Sequence, residues 1–196
     1  MPIVETASSV ITSSLSAVAG GVGGLFAVDA PLRRAELVFD DEARLPGRTE
    51  LLQAGRRVPA LVRIAPDGEG PDEVGAVRTV CVKLPDVYGK GGDQDFLLAS
   101  SADGVPFHHA ALPATRTDER LFSSLWLYLA GVSPVLFGVR AADSGFRFLI
   151  SGVLGRFHAV GDLVVGDAAE IGSVAFDARN SGGGIRPLPP VMFYRG

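Results

Sequence analysis

Lysine, histidine and cysteine are scarce in this chain of 196 residues: Lys83 and Lys90, then His108, His109 and His158, and a lone Cys81. A single cysteine cannot form an internal disulfide, so nothing calls for an oxidising compartment and the cytoplasm is the expected setting. Cys81 stands between Val80 and Val82, where a thiol is expected to pack as a small hydrophobe rather than to react. Three histidines in no His-x-Asp or His-x-x-x-His pattern give no metal-ligand set. The formal net charge is −4 and no run of Lys or Arg occurs; this argues against binding to nucleic acid.

Uninterrupted membrane spans are missing as well. The stretch from Thr6 to Val28 is uncharged but rich in Ser, Thr and Gly, and no basic segment precedes it, so it reads poorly as a signal peptide. Leu121 to Val139 is also uncharged, but Gly131-Val132-Ser133-Pro134 breaks it, and a residue before proline leaves helical geometry. The expectation is a soluble protein that does not span a membrane, with peripheral attachment left open. Gly20 to Gly24 is glycine-rich with no Lys-Ser or Lys-Thr after it, which excludes a phosphate-binding loop of the P-loop kind.

What is abundant is apolar and β-branched sequence. Hydrophobic residues make up 47% and mean hydropathy is +0.28, so a chain of this length buries a real core as one domain. Residues 1–19 read as a Ser/Ala-rich lead-in and 20–196 as the folded domain. Val22 to Val28, Val58 to Ile64, Val77 to Leu84, Asp95 to Ser100, Val135 to Val139, Phe146 to Leu154 and Phe157 to Val165 read as strands, with Val174 to Phe176 a further candidate. In the third of these, Val77, Thr79, Cys81 and Lys83 share one face, and Arg78, Val80, Val82 and Leu84 the other. Asp118 to Leu129 opens on an acidic cap and carries Leu121, Phe122, Leu125, Trp126 and Leu129 at helical spacing, which predicts a helix. The acidic clusters Asp67, Glu69, Asp72, Glu73 and Asp86, Asp93, Asp95 fit no calcium-loop spacing and read as solvated loops. Many strands with few helices predict a barrel or sandwich.

Several segments then fall into a familiar order. Arg56-Arg57-Val58-Pro59-Ala60-Leu61-Val62-Arg63-Ile64, Asp72 to Gly75 with Val80 to Leu84, Gln94-Asp95-Phe96-Leu97-Leu98, and Val174 to Asn180 with Gly184 to Pro187 resemble, in sequence order, strands of the catalase-like superfamily. Gln94 to Ser100, Phe122-Ser123-Ser124-Leu125 and Phe176 to Pro187 are similar to short bacterial catalase-like proteins, a group also called phosphodiesterases. The resemblance implies a mainly-β (α+β) fold: an antiparallel catalase-like barrel with one or two packed helices.

The residues of peroxide chemistry do not follow. Phe26 matches a Phe of the family's first strand, but Leu15-Ser16-Ala17, where the distal His is expected, has no His. Ser100 and Ser101 fall near the Asn that positions peroxide. The family's proximal Arg-x-x-x-Tyr would follow Pro187 at a distance, and the sequence runs only from Leu188 to Gly196 beyond it. Tyr194, beside Arg195, has the wrong spacing to replace it. Phe107, His108 and His109 fall on a strand that borders the haem pocket in the family. Adjacent residues of a strand point to opposite faces, so only one of the two histidines can face a cavity. His158 is expected to be structural. A phosphodiesterase would need several His and Asp metal ligands, which this pattern lacks.

The leading expectation is a degenerate barrel without peroxidatic residues that binds an apolar ligand, a lipid or haem, beside Phe26, Ser100, Ser101, Phe107, His108 and His109. The alternatives are an enzyme whose haem or metal is held by His108 or His109, and a structural protein whose apolar helix Phe122 to Leu129 docks on a protein partner or oligomer mate.

Overall fold

The computed structural model describes residues 25–67, 76–103 and 110–196. Ten strands form one sheet: β1 (Leu32–Phe39), β2 (Arg57–Ile64), β3 (Thr79–Leu84), β4 (Gln94–Ser101), β5 (Leu121–Ser123), β6 (Tyr128–Ala130), β7 (Ser133–Ala142), β8 (Gly145–Gly152), β9 (His158–Ala168) and β10 (Ile185–Pro187). Every pairing is antiparallel. Eight strands close a ring in the order β1-β2-β3-β4-β5-β7-β8-β9, with β9 returning to β1. Helix is nearly absent among the described residues: apart from Leu25 there is only the short 3-10 helix Val191–Phe193. The expected packed helices are therefore not found there, and none of the described helices is long and apolar enough to cross a membrane.

The interior is aromatic. Phe96 on β4 meets Phe137 on β7 at 4.7 Å and Phe148 on β8 at 5.5 Å, and Phe148 meets Phe39 on β1 at 6.0 Å. These contacts join strands that are not neighbours in the ring, so the rings lie in the lumen, as in small barrels whose interior is just wide enough for side chains. Val82 lies opposite Phe96 and Val80 opposite Leu98; directly opposed residues share a face, which places Val80 and Val82 inward and Cys81 and Lys83 outward, alongside Leu97 and Asp95. The predicted alternation of β3 holds. Yet all six of its residues are buried, because the chain around Phe176 covers the outer face: Lys83 Nζ lies 5.8 Å and Arg63 Cζ 4.8 Å from the centre of the Phe176 ring.

The segment predicted as a helix is instead one strand broken in two. β5 and β6 both lie along the same edge of β7, Leu121–Ser123 opposite Gly138–Arg140 and Tyr128–Ala130 opposite Ser133–Val135. Between them Ser124–Leu127 diverts the chain, and Leu125 takes a positive φ of 59°. Serine hydroxyls hold the detour: Ser124 Oγ donates to Trp126 O, Phe137 N donates to Ser124 Oγ, and Leu125 N donates to Ser123 Oγ. The apolar spacing that suggested a helical face is thus spread over two short strands and a kink, and Phe122, Leu125 and Tyr128 are core residues. A docking helix over Phe122 to Leu129 does not exist.

The detour leaves a fork in the wall. β5 pairs with β4, but β6 turns away and takes β10 as its other neighbour. The chain from Phe176 to Pro187 fills the fork: Asp95 N donates to Asn180 O at 2.8 Å, and Leu188 N donates to Leu127 O at 3.0 Å. Val174 to Phe176 is not a strand, although Phe176 and Gly196 exchange both backbone hydrogen bonds at 2.8 and 2.9 Å. Leu25 to Val28 is not a strand either; the earlier part of that prediction lies outside the described residues. β1 escapes sequence reading because a register shift between Arg33 and Ala35 breaks its alternation.

Glycine is required where the tail meets Tyr88. Gly183 has φ +52°, and a Cβ there would overlap the Tyr88 ring and come within 2.9 Å of Glu50 Cβ. Gly183→Ala is expected to lower stability by about 1–3 kcal/mol through overpacking and an unfavourable φ, read as a fall in the urea midpoint with an unchanged slope.

Candidate functional site

Of the sequence-predicted site residues, Phe26, Ser100, Ser101 and Tyr194 are among the described ones. Phe107, His108 and His109 lie outside the described residues. Ser100 and Ser101 close β4, and their hydroxyls serve the wall: Ser100 Oγ accepts from Arg78 N at 3.0 Å and donates to Leu112 O, and Ser101 Oγ donates to Ser123 Oγ at 2.8 Å. His158 is exposed, with a long 3.5 Å contact to Arg44 O. Phe26 and Tyr194 do come together, ring on ring at 4.9 Å, both fully buried. An iron-ligating role for Tyr194 has no support in that packing. Burial pushes its hydroxyl well above the ordinary phenol range.

The residues that carried the family likeness converge on another point, the Asp95 carboxylate. Lys83 Nζ donates to both of its oxygens at 2.8 Å, and Oδ2 also accepts from Asp177 N and Asn180 Nδ2 at 2.9 Å. Lys83 Nζ reaches Asp93 at 3.2 Å as well. Asp95 has no exposed side chain and Lys83 very little. Burial raises the Asp95 carboxyl above its ordinary range despite Lys83 and the other donors. At Asp93 burial also acts upward, but the Asp86 N–H and Lys83 outweigh it and hold the group low. The reading of Asp86, Asp93 and Asp95 as a solvated loop is therefore corrected for Asp95: it is the anion of a buried ion pair. Beside it, Tyr88 Oη donates to Gln94 Oε1 at 3.0 Å and Gln94 Nε2 donates to Ser181 Oγ at 2.9 Å. The side chains of Lys83, Asp95, Gln94 and Ser181 thus tie β3 and β4 to the tail that closes the fork.

Cys81 lies on the same outer face, 1% exposed. Burial, partly offset by Arg63, pushes its thiol up to about 12; it is a packed thiol, not a nucleophile.

An open cleft of about 550 Å³ lies at one mouth of the barrel, where β1 begins, β2 ends and the β7–β8 turn closes. Its inward-facing lining is apolar: Ile64, Ala141, Phe146 and Val165. Phe146 meets Phe122 at 6.5 Å, so the aromatic filling of the lumen surfaces here. The rim is charged. Arg116 holds Asp118 through two hydrogen bonds at 3.0 and 2.9 Å, Asp67 Oδ1 accepts from Thr117 N and Oγ1 at 2.8 Å, and Arg33 Nε donates to Gly166 O at 3.0 Å. An apolar floor under a few polar groups, at this size, is the usual make-up of a small-molecule site. Sequence reading did not find it, because its floor comes from four strands and its rim from loops far apart in the chain. A second, smaller cleft of about 450 Å³ lies between Val28, Leu32, Arg63, Ile171 and Val174.

A buried ion pair is strongly destabilised when one partner is removed. Lys83→Met is expected to lower stability by about 3–5 kcal/mol. Lys83→Met/Asp95→Leu should recover part of that loss, because the uncompensated charge goes while Asp177 N and Asn180 Nδ2 stay unpaired. Urea denaturation of both variants measures it; a single variant as stable as the parent would show that the pair is not what holds the seam.

No protein-family model matches the chain, and no curated protein matches it either. Its closed antiparallel barrel and the mouth cleft therefore stand on the chain's own geometry.

Proposed function

We propose that this protein is a non-catalytic binding module on a degenerate catalase-like barrel, and that its ligand is an apolar or amphiphilic small molecule bound in the mouth cleft. The observation that carries the reading is the apolar lining of that cleft, Ile64, Ala141, Phe146 and Val165, under a rim that includes Arg33 and Arg116. An apolar body rests on the floor and a polar head on the rim. The packed lumen moves the ligand from the barrel interior, where the family likeness would put it, to the mouth. Membership of the catalase-like superfamily draws support from the way Lys83, Asp95, Asp177 and Asn180, all from segments of the likeness, meet at one carboxylate.

The test is displacement of an environment-sensitive fluorescent fatty acid, alongside a haemin titration and mass spectrometry of an organic extract. Saturable, stoichiometric binding of one probe is expected, about tenfold weaker in Val165→Asp, since covering a valine with an apolar ligand contributes about 1.5–3 kcal/mol. Val165 is half-buried at the edge of the core, and the urea midpoint of the variant checks that it folds. A saturable Soret band would make haem the occupant, and fatty-acid displacement alone a lipid. An empty extract with no saturable binding of either probe would sink the reading.

A further inference from the structure

Among the described residues, two buried side-chain hydroxyls have no hydrogen-bond partner, those of Tyr128 and Tyr194. Both residues are buried, Tyr128 at 0% and Tyr194 at 1% exposure. Tyr128 packs against Phe137 at 5.2 Å and Phe96 at 6.0 Å, while Tyr194 packs against Phe26 at 4.9 Å. A buried polar group without a partner is destabilising by about 1–3 kcal/mol, and native proteins almost always satisfy such groups with protein atoms or ordered water. Two in one aromatic core therefore point to an occupant.

The chemistry of the site limits that occupant. Both phenols are held protonated by burial, so each offers an O–H and asks for an acceptor. The Asp95 carboxylate, whose charge is felt at Tyr128, is already taken by Lys83, Asp177 N and Asn180 Nδ2. A free anion in this apolar setting would lack a counter-charge and carry a prohibitive desolvation penalty. The rings of Phe96, Phe137 and Phe26 pack against the two phenols with centroids 4.9 to 6.0 Å away, which favours a small occupant. A small neutral acceptor with hydrogens of its own to donate meets every condition, and buried water of this kind commonly makes about three hydrogen bonds to groups that would otherwise be orphaned.

We propose that the hydroxyls of Tyr128 and Tyr194 bind internal water, making the barrel core a hydrated site rather than a dry one. Each hydroxyl, set among phenylalanines, then has a water molecule as its partner.

Magnetic relaxation dispersion of water ²H and ¹⁷O on the whole protein tests this, because it counts internal waters with long residence times. The parent should show such water, Tyr128→Phe and Tyr194→Phe should each show less, and the double variant should lose this contribution. Each single variant should also lower the folding equilibrium constant by about fivefold, since it removes the net gain of one hydrogen bond. A parent without long-lived water, or a signal unchanged in the double variant, would overturn the proposal. So would phenylalanine variants as stable as the parent or more stable, which is the behaviour of a phenol that was never satisfied.

Discussion

A carboxylate with no solvent contact dictates how this chain closes. Asp95 sits on a strand covered on both faces, and an ionised carboxylate in such a place is tolerated only when opposite charge and hydrogen-bond donors surround it. Its donors come from Lys83, on the neighbouring strand, and from Asp177 and Asn180, more than eighty residues further along. The strand and the tail are thus tied to each other, and neither is satisfied alone. The fork the tail fills exists because Ser124–Leu127 bends β6 away from β4, with the Ser123 and Ser124 hydroxyls satisfying the backbone at the bend. The Gly182–Gly184 run then lets the tail pass against the Tyr88 ring. Kink, ion pair and glycine run are three parts of one seam.

The seam has a functional consequence. Residues whose types suggest chemistry, an aspartate, a lysine, a tyrosine and several serines, are consumed in holding a wall together. The lumen is occupied by Phe39, Phe96, Phe137 and Phe148. Among the described residues, apolar side chains line a concave surface at the mouth, where Ile64, Ala141, Phe146 and Val165 meet. The proposed binding role rests on that mouth.

Much of the barrel was legible in the sequence because β2, β3, β4, β7, β8 and β9 are long enough to show β-branched, apolar runs between turn residues. β1 was not, because Arg33, Arg34 and Glu36 break its apolar pattern and a register shift interrupts its alternation. β5 and β6 are three residues each, too short for any periodicity, and the kink between them brings Leu121, Phe122, Leu125, Trp126 and Leu129 into an accidental helical spacing. The Asp95 ion pair was readable only as an acidic cluster: local sequence cannot tell a solvated aspartate from one whose partners lie eighty residues away. The mouth cleft left no signal at all, since each strand contributes only one or two of its residues.

Native-state hydrogen exchange tests the central claim, that the tail and the barrel wall form one cooperative unit closed at Asp95. The amides of Asp95, Asp177 and Asn180 donate within the seam, and those of Val80 and Val82 lie in the wall beside it. The account predicts that both sets exchange only through global unfolding, with the same free energy and the same denaturant dependence. Exchange of the Asp95, Asp177 and Asn180 amides at a far lower free energy, while Val80 and Val82 stay protected, would contradict it: the tail would then be an appendage that opens without the barrel.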